Sequence, residues 1–330
     1  MPRKCGENTS GVSAGFAMPP AVGALTAGHS PTYTRQGAAG TQRSPAVTQM
    51  STQSPRNGGR AVLLTGGAGG IGTAITEALL AGGHSVAAVD RDEAALHRLS
   101  ALHGRAGARE RLYAIVADLA NEPACLHAVQ AAVARFGRVD AVINNAGIGV
   151  SSLRPDAEVC LPAIEELTAE IWNNFFNINV RAPMLVTRAA VPEMKRRGWG
   201  RIINNTTSFR TMLRVLPYGA TKAALESMSA VWAKELDGSG ITVNVLIPGG
   251  PTDTPFIADG SGWPRDRMLR PQIMGPPALW LLSDASGSVT GRRIVAARWD
   301  ASLSGPEAAA RAIGWPELAA DAVWLSERPA

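Results

Sequence analysis

Tyr218 and Lys222 are four residues apart in a segment, 218–222, whose composition predicts the start of a helix. Because residues four apart lie on the same face of a helix, the phenol and the ammonium are expected to be neighbours. A free phenol, with a pKa of about 10, is a poor base near neutral pH. A nearby ammonium would lower the pKa of Tyr218, so this pair could exchange a proton with a reacting oxygen. The alternative is a partly buried tyrosine beside a solvated lysine.

A glycine-rich segment, residues 65–72, follows the short apolar run Ala61–Leu64. Glycines between a strand and a helix permit a tight turn and let backbone N–H groups approach a pyrophosphate. The helix predicted at Ile71–Leu80 would add the positive end of its dipole. The alternative is a turn that only reverses the chain. The pattern predicts a dinucleotide cofactor, with contacts from Gly66, Gly70, Ile71 and Gly72.

Asp90 ends the next apolar run, 18 residues after Gly72. A carboxylate there can accept hydrogen bonds from the adenosine ribose of NAD and would repel the additional phosphate of NADP. Arg91 beside it could instead bind that phosphate, and Asp90 could serve only to begin the following helix. We expect NAD rather than NADP, and the positive nicotinamide ring would lower the pKa of Tyr218 further.

These candidates are positioned by short apolar runs that alternate with helical segments of about 10–15 residues. The predicted strands are Ala61–Leu64, Ser85–Val89, Leu112–Ala117, Ala141–Ile143, Arg201–Asn205, Ile241–Ile247 and Arg293–Ala297. The alternation predicts an α/β fold, a doubly wound, Rossmann-like parallel sheet with helices on both faces. This single domain is expected over residues 58–300. A C-terminal tail, 301–330, can form a helix and pack on the domain or on a subunit interface.

Residues 1–57 differ in composition, since 26 of them are Gly, Pro, Ser or Thr. Such a segment buries too little apolar surface to offset its ordering entropy, so we expect it to be disordered. It holds five basic residues and one acidic residue, which is +4 of the net charge of +5. The rest of the chain is nearly neutral, which argues against a nucleic-acid-binding function.

The composition and the cysteine spacing exclude several other classes of protein. With 45% hydrophobic residues the chain can form a sizeable core. No run approaches the roughly 18 uninterrupted apolar residues of a membrane span. Cys5, Cys125 and Cys160 form no C-x-x-C pair, and no H-E-x-x-H motif occurs. Neither a catalytic metal nor a disulfide framework is predicted, and a cytoplasmic location fits best.

Four further motifs follow in order on the predicted elements: Asn144-Asn145-Ala146-Gly147, Asn177-Ile178-Asn179-Val180, Tyr218-Gly219-Ala220-Thr221-Lys222 and Pro248-Gly249. Together with residues 65–72 they resemble the short-chain dehydrogenase/reductase family, in its common single-domain branch, over residues 60–297. The closer resemblance is to 3-oxoacyl carrier-protein reductases and to sugar or polyol dehydrogenases. This resemblance implies a nicotinamide-dependent oxidoreductase.

The resemblance also implies roles for single residues. Tyr218 would be the acid/base and Lys222 its partner, while Asn179 would hold a water that links the lysine to solvent. Asp118 and Leu119 would contact the adenine ring, although Asp118 also fits a helix N-cap. The remaining cofactor contacts would be Asn145, Ala146, Gly147, Pro248, Gly249 and Thr252, with Thr254 as the second choice for the nicotinamide carboxamide.

One position departs from the family pattern. The family places a serine thirteen residues before the tyrosine, where its hydroxyl binds the reacting oxygen. Counting back thirteen residues from Tyr218 gives Asn205, whereas the strand pattern aligns Thr207 with that serine. Ser208 would take the role if the register shifts by one residue. Both hydroxyls can donate and accept hydrogen bonds, so the choice between Thr207 and Ser208 stays open.

The main hypothesis is an NAD-dependent oxidoreductase that acts on a small alcohol or ketone. An epimerase or dehydratase with the same cofactor and tyrosine is a second hypothesis. A nucleotide-sensing protein with negligible turnover is the third. The resemblance further implies a homodimer or homotetramer, paired through helices over 168–197 and 218–236.

Overall fold

The computed structural model describes residues 59–103, 108–154 and 156–314; segment 1–57, predicted to be disordered, lies outside them. The strands of the described chain are β1 Ala61–Thr65, β2 Ser85–Asp90, β3 Leu112–Val116, β4 Ala141–Asn144, β5 Gly200–Asn205, β6 Ile241–Ile247 and β7 Arg293–Val295. All pairings are parallel, and the strands form one sheet in the order β3-β2-β1-β4-β5-β6-β7.

Helices connect these strands. They are α1 Gly70–Ala81, α2 Glu93–Leu102, α3 Ala108–Arg111, α4 Glu122–Phe136, α5 Ala169–Phe176, α6 Ala182–Arg197, α7 Phe209–Met212, α8 Tyr218–Glu235, α9 Gly275–Leu281 and α10 Gly305–Ala312. In the described ranges, none of them is both long and apolar enough to cross a membrane.

The residues of β1 show how the sheet is covered. Consecutive residues of a strand point to opposite faces of the sheet. Leu63 lies in a buried cluster with residues of α4 and α6. Val62 and Leu64 lie in a second cluster with residues of α1, α2 and α9. Because helices cover both faces, β1 is buried along its whole length and has a continuous apolar sequence.

The direction of winding reverses between β1 and β4, which are neighbours in the sheet. From β1 the chain adds β2 and β3 on one side, and it then returns to add β4 to β7 on the other. In open α/β sheets, ligands bind beyond the carboxyl ends of the strands at such a switch point. The doubly wound, Rossmann-like fold predicted from the sequence is confirmed.

Several predicted strands begin or end one residue away from the observed bounds, and two predicted elements differ more. The helix expected over 168–197 is interrupted by a wider turn, a π-helix at Asn177–Arg181, between α5 and α6. Such turns occur often at functional sites, and this one contains Asn179. The last strand ends at Val295 instead of Ala297, because residues 296–298 form a 3₁₀ turn in which the Ala297 N–H bonds the Pro248 carbonyl at 2.9 Å.

The described part of the C-terminal segment, residues 301–314, contains α10. Ala312 of this helix packs in the same buried cluster as α1 and α9. After it, the Gly314 N–H donates to the Arg293 carbonyl at 2.8 Å, which brings the segment against β7.

Candidate functional site

A cavity of about 1060 Å³ opens beyond the carboxyl ends of the strands. Most of the site residues predicted from the sequence line it, namely Gly66, Gly70, Ile71, Gly72, Asp90, Arg91, Asp118, Leu119, Asn145, Ala146, Gly147, Thr207, Ser208, Tyr218, Lys222, Pro248, Gly249 and Thr252. Asn179 is the exception and lies behind the wall. In the described ranges, no three His, Cys, Asp or Glu residues are grouped so that they could hold a metal ion.

The turn between β1 and α1 forms one end of the cavity. Gly66 has a φ of +63°, which residues with a side chain rarely adopt. A Cβ atom on Gly72 would lie 1.8 Å from the Gly66 carbonyl oxygen, so only glycine fits there. The first turn of α1 contains no acidic residue. The positive end of the helix dipole therefore lies at the cavity with no carboxylate of that turn to oppose an anion, an arrangement that fits a pyrophosphate.

Asp90 joins this turn to the end of β2. Its carboxylate accepts hydrogen bonds from the N–H groups of Ala68 at 3.2 Å and Asp92 at 3.1 Å. The N-cap of α2 is Asp92, which accepts from the Ala95 N–H at 2.9 Å. Asp90 therefore does more than begin the helix, and it also lines the cavity. Arg91, also on the wall, is exposed.

Asp118 and Leu119 follow β3 at the same end of the cavity. The Asp118 carboxylate accepts a hydrogen bond from the Ala120 N–H at 3.0 Å and so shapes a short turn. Asn121, rather than Asp118, occupies the N-cap position of α4. Leu119 is buried and lines the cavity, so it offers an apolar surface to a flat ring.

The residues after β4 pack directly against the glycine turn. Asn145 donates from Nδ2 to the carbonyls of Thr65 at 3.2 Å and Gly66 at 3.0 Å. The N–H of Ala146 donates to the Thr65 hydroxyl at 3.0 Å. A Cβ atom on Gly66 would lie 2.9 Å from the Ala146 Cα. These contacts fix the chain after β4 against the glycine turn at the switch point of the sheet.

Tyr218 begins α8, and Thr207 lies beside its phenol. Burial raises the pKa of Tyr218, hydrogen bonding from the Thr207 side chain lowers it, and the charge of Glu158 raises it. Ser208 is used differently, because its hydroxyl accepts the Thr211 N–H at 3.2 Å and caps α7.

Lys222 is buried, and its Nζ donates to the Asn205 backbone carbonyl at 2.9 Å. Burial lowers the pKa of Lys222 to about 8, although the negative charge of Glu226 opposes that shift. Its Nζ lies 5.7 Å from the centroid of the Tyr218 ring. In the protein without its cofactor, burial raises the pKa of Tyr218. That the ammonium and a bound nicotinamide ring together lower this pKa stays a prediction.

Asn179 is fully buried in the wide turn before α6. Its side chain accepts the Ile148 N–H at 2.8 Å and donates to the Ile148 carbonyl and the Thr221 hydroxyl, each at 3.0 Å. A Cβ atom on Gly147 would lie 3.1 Å from Asn179 Oδ1 and 3.4 Å from Lys222 Nζ. The absence of a side chain at Gly147 thus leaves the amide and the ammonium facing one small space.

The segment after β6 forms a further part of the cavity wall. Gly249 has a φ of +102°, which glycine adopts readily. Thr252 is buried, and its hydroxyl donates to the Gly250 carbonyl at 3.2 Å. Thr254 packs against the start of α1, since a Cβ atom on Gly70 would lie 2.4 Å from the Thr254 methyl carbon.

Comparison with known proteins identifies this arrangement. A family model described as short chain dehydrogenase matches residues 60–263. The chain belongs to the short-chain dehydrogenase family. It is an NAD(P)-dependent oxidoreductase that acts on the CH–OH group of its donors, as expected from the sequence.

Three members of the family resemble most of the chain. A probable galactose dehydrogenase of Rhizobium meliloti (strain 1021) is 30% identical over 262 residues, which cover 76% of this chain and 98% of that protein. A D-threitol dehydrogenase of Mycolicibacterium smegmatis is 31% identical over 252 residues, which cover 72% and 91%. The crystal structure of a 3-ketoacyl-(acyl-carrier-protein) reductase from Brucella melitensis, complexed with NADH, shows 29% identity and a TM-score of 0.61, covering 71% of this chain and 95% of that one.

Two acidic residues of this family member were not identified from the sequence. Glu158 lines the cavity. Glu226 lies behind it and pairs with Arg293 at 3.1 Å. The spacing of four residues from Tyr218 to Lys222 continues to Glu226, and this signal could have placed all three on one helix face.

Proposed function

We propose that this oxidoreductase interconverts a small secondary alcohol and its ketone with NAD as the cofactor and Tyr218 as the acid/base. The observation that carries the proposal is the meeting of Tyr218, Thr207 and Lys222 in one cavity with the glycine turn. A nicotinamide held in this cavity would supply the hydride chemistry at the carbinol carbon. Net turnover of the cofactor distinguishes this reaction from epimerisation, dehydration or nucleotide sensing.

Tyr218 moves the proton in this proposal. In the oxidative direction the phenolate oxygen takes the hydroxyl proton of the substrate, and the O–H bond breaks as the C=O bond forms. In the reverse direction the phenol returns that proton to the carbonyl oxygen. The Thr207 hydroxyl lies beside the phenol and donates to the same substrate oxygen as negative charge develops on it. Ser208 is left to cap α7.

Lys222 favours the phenolate. One Nζ proton bonds the Asn205 carbonyl, which leaves the others for the ribose next to the nicotinamide and for the electrostatic stabilisation of Tyr218. Asn179 holds the polar space beside Nζ through which a proton can reach solvent. Its contacts with Ile148 and Thr221 keep the amide in one orientation.

The cavity wall supports a consistent placement of NAD. The pyrophosphate would lie on the N–H groups of Gly66, Gly70, Ile71 and Gly72, and the adenine ring between Asp118 and Leu119. The nicotinamide half of the cofactor would be flanked by Asn145, Ala146, Gly147, Pro248, Gly249 and Thr252. The Asp90 carboxylate would accept from the adenosine ribose, and it would oppose the additional phosphate of NADP.

The test is Tyr218→Phe, with the absorbance of reduced nicotinamide followed over a panel of secondary alcohols and ketones. We expect turnover to fall by at least about 100-fold while NADH binding, measured by energy transfer from tryptophan, is retained. Tyr113→Phe is the matched control, because Tyr113 packs against Phe136 outside the cavity. Activity of Tyr218→Phe within about tenfold of the wild type would contradict the assignment.

We also propose a homodimer or homotetramer in the cytoplasm, as the family resemblance favours. Trp172 on α5 and Val231 on α8 are 38% and 58% exposed, which supports pairing through these helices. Sedimentation at micromolar concentration tests the assembly, and a monomer would contradict it.

A further inference from the structure

Asn205 lies thirteen positions before Tyr218, and the mechanism proposed above uses only its backbone carbonyl. It is the last residue of β5 and lines the cavity, although only 9% of the residue is exposed. An asparagine side chain has an oxygen that accepts hydrogen bonds and a nitrogen that donates them. Because buried polar groups are normally paired, the partners of this amide indicate what it does.

The partner of the Asn205 amide is the side chain of Asn145. Asn145 donates from Nδ2 to the carbonyls of Thr65 and Gly66 at 3.2 and 3.0 Å, so its nitrogen points to the glycine turn. Its Oδ1 is left to accept, and Asn205 Nδ2 donates to it at 2.8 Å. A flip of the Asn145 amide would place its oxygen against two carbonyl oxygens. The hydrogen bonds therefore run in one direction, from Asn205 through Asn145 to the turn.

The other atom of the Asn205 amide has no protein partner. Within the described ranges its Oδ1 is buried and accepts no hydrogen bond. A buried acceptor that stays unpaired costs free energy, and an apolar side chain of similar size would avoid that cost. Stability alone would therefore favour leucine at this position. The amide is explained by what its nitrogen does for Asn145.

The backbone of Asn205 leads to the second part of the site. Its carbonyl accepts from Lys222 Nζ at 2.9 Å. The strand end that carries this carbonyl is held on both sides, because Asn204 pairs with Asn144 of β4 and Asn205 pairs with Leu246 of β6. The hydrogen bonds to Asn145 and to the lysine therefore start from one fixed point of the sheet.

We propose that Asn205 is a positioning residue. Its side chain fixes Asn145 in the orientation that binds the glycine turn, and its carbonyl fixes Lys222. One residue thereby aligns the turn that holds the cofactor with the ammonium that stabilises the Tyr218 phenolate. Its side chain acts on the cofactor through Asn145. This inference deepens the proposed function, on which it rests.

The experiment begins with Asn205→Leu, which removes the amide but keeps the approximate size of the side chain and the backbone carbonyl. We expect the dissociation constant of NADH, measured by energy transfer from tryptophan, to rise by about tenfold. With saturating cofactor, kcat should fall by less than about threefold, because the carbonyl still holds Lys222. The melting temperature should stay within about 3 °C of the wild type or rise, because an unpaired acceptor is lost.

Asn244→Leu is the matched control, because Asn244 is also a buried asparagine of a central strand and lies outside the cavity wall. Both ends of its amide are paired. It donates to the Val289 carbonyl at 2.7 Å and accepts the Arg292 N–H at 3.0 Å. Its replacement should lower the melting temperature and leave the NADH affinity of the folded protein unchanged. A merely structural role of Asn205 would give the same result there.

A double-mutant cycle with Asn145→Ala tests whether Asn205 acts through Asn145. If it does, the double variant Asn145→Ala/Asn205→Leu binds NADH as weakly as Asn145→Ala alone. Independent roles would instead multiply the two losses of affinity, and that result would overturn the proposal.

Asn205→Asp covers the case in which Asn205→Leu does not fold. It keeps the shape of the side chain, but an ionised carboxylate has no donor for Asn145 Oδ1, so NADH affinity should again fall. Unchanged NADH affinity in the folded Asn205 variants overturns the proposal. A wild type that binds NADH without turnover of any alcohol or ketone would instead contradict the proposed function.

Discussion

Glu226 and Arg293 form an ion pair behind the catalytic cavity, with 3.1 Å between Glu226 Oε1 and Arg293 Nε and at most 5% of either side chain exposed. Glu226 also accepts the hydroxyl of Thr206 at 2.5 Å, and Arg293 donates to the backbone carbonyl of Thr207. The pair therefore joins α8 and β7 to the chain just after β5, and it fixes the backbone at Thr207.

Removing one partner of this pair should destabilise the fold. Glu226→Ala leaves the Arg293 guanidinium buried without its counter-charge, which costs about 3–5 kcal/mol. Urea unfolding followed by circular dichroism measures the loss, and Glu235→Ala at the exposed end of α8 is the control. A double variant, Glu226→Leu/Arg293→Met, should recover part of the stability, because no charge is left unpaired. A loss below about 1 kcal/mol for Glu226→Ala would contradict the importance of the pair.

Lys222 should make stability depend on pH. Burial lowers its pKa from 10.5 to about 8, so between these values the unfolded chain binds more protons than the native protein. The free energy of unfolding of the wild type, taken relative to Lys222→Met, should therefore rise as the pH increases from about 8 to 10.5, by up to about 3 kcal/mol. Urea titrations of both proteins at several pH values test this. A difference that stays flat would show that the lysine keeps an ordinary pKa.

Asp90 should decide between the cofactors. We expect the wild type to prefer NAD over NADP by at least about tenfold in kcat/KM, and Asp90→Ala to narrow or reverse that ratio. Asp90→Asn is the comparison variant, because it removes the charge but keeps an acceptor for the Ala68 N–H. If both variants leave the ratio as in the wild type, Arg91 becomes the candidate phosphate contact.

Two glycines of the first turn provide a steric test of cofactor binding. In Gly72→Ala the Cβ would lie 1.8 Å from the Gly66 carbonyl oxygen, so the turn must shift and NADH affinity should fall by at least about tenfold. In Gly69→Ala the nearest atom is 3.5 Å away, an ordinary contact, and the loss should be much smaller. Fluorescence titration with NADH compares them, and equal losses would contradict the prediction.

The two hydroxyls after β5 should differ in their contribution to rate. Thr207→Val keeps the shape of the side chain but removes the donor beside Tyr218, and kcat should fall by about 100-fold. Ser208→Ala should have its main effect on stability, about 1 kcal/mol, because it removes the cap of α7. Steady-state kinetics and thermal unfolding of both variants separate the roles. A larger loss of kcat for Ser208→Ala than for Thr207→Val would assign the donor role to Ser208 instead.

Local patterns made much of this protein predictable. The apolar run at Ala61–Leu64, the glycines of 65–72 and the four-residue spacing of Tyr218 and Lys222 depend only on neighbours in sequence. Backbone periodicity turns such spacing into faces and turns. The family resemblance of the ordered motifs then implied the chemistry. For these reasons the fold and the class of reaction followed from the sequence.

Hydrogen bonds between residues that are distant in sequence were decided only by the tertiary structure. Asn179 bonds Ile148 across 31 positions, and Arg293 reaches the Thr207 carbonyl across 86. The positions of the two hydroxyls after β5 were also decided by the tertiary structure. Thr207 lies beside the Tyr218 phenol and Ser208 caps α7 because of the way β5 and α8 pack. Burial likewise raises the pKa of Tyr218, an effect that the spacing of Tyr218 and Lys222 does not reveal. The physical reason is that hydration and charge pairing depend on atoms brought together by packing, and sequence spacing does not encode those distances.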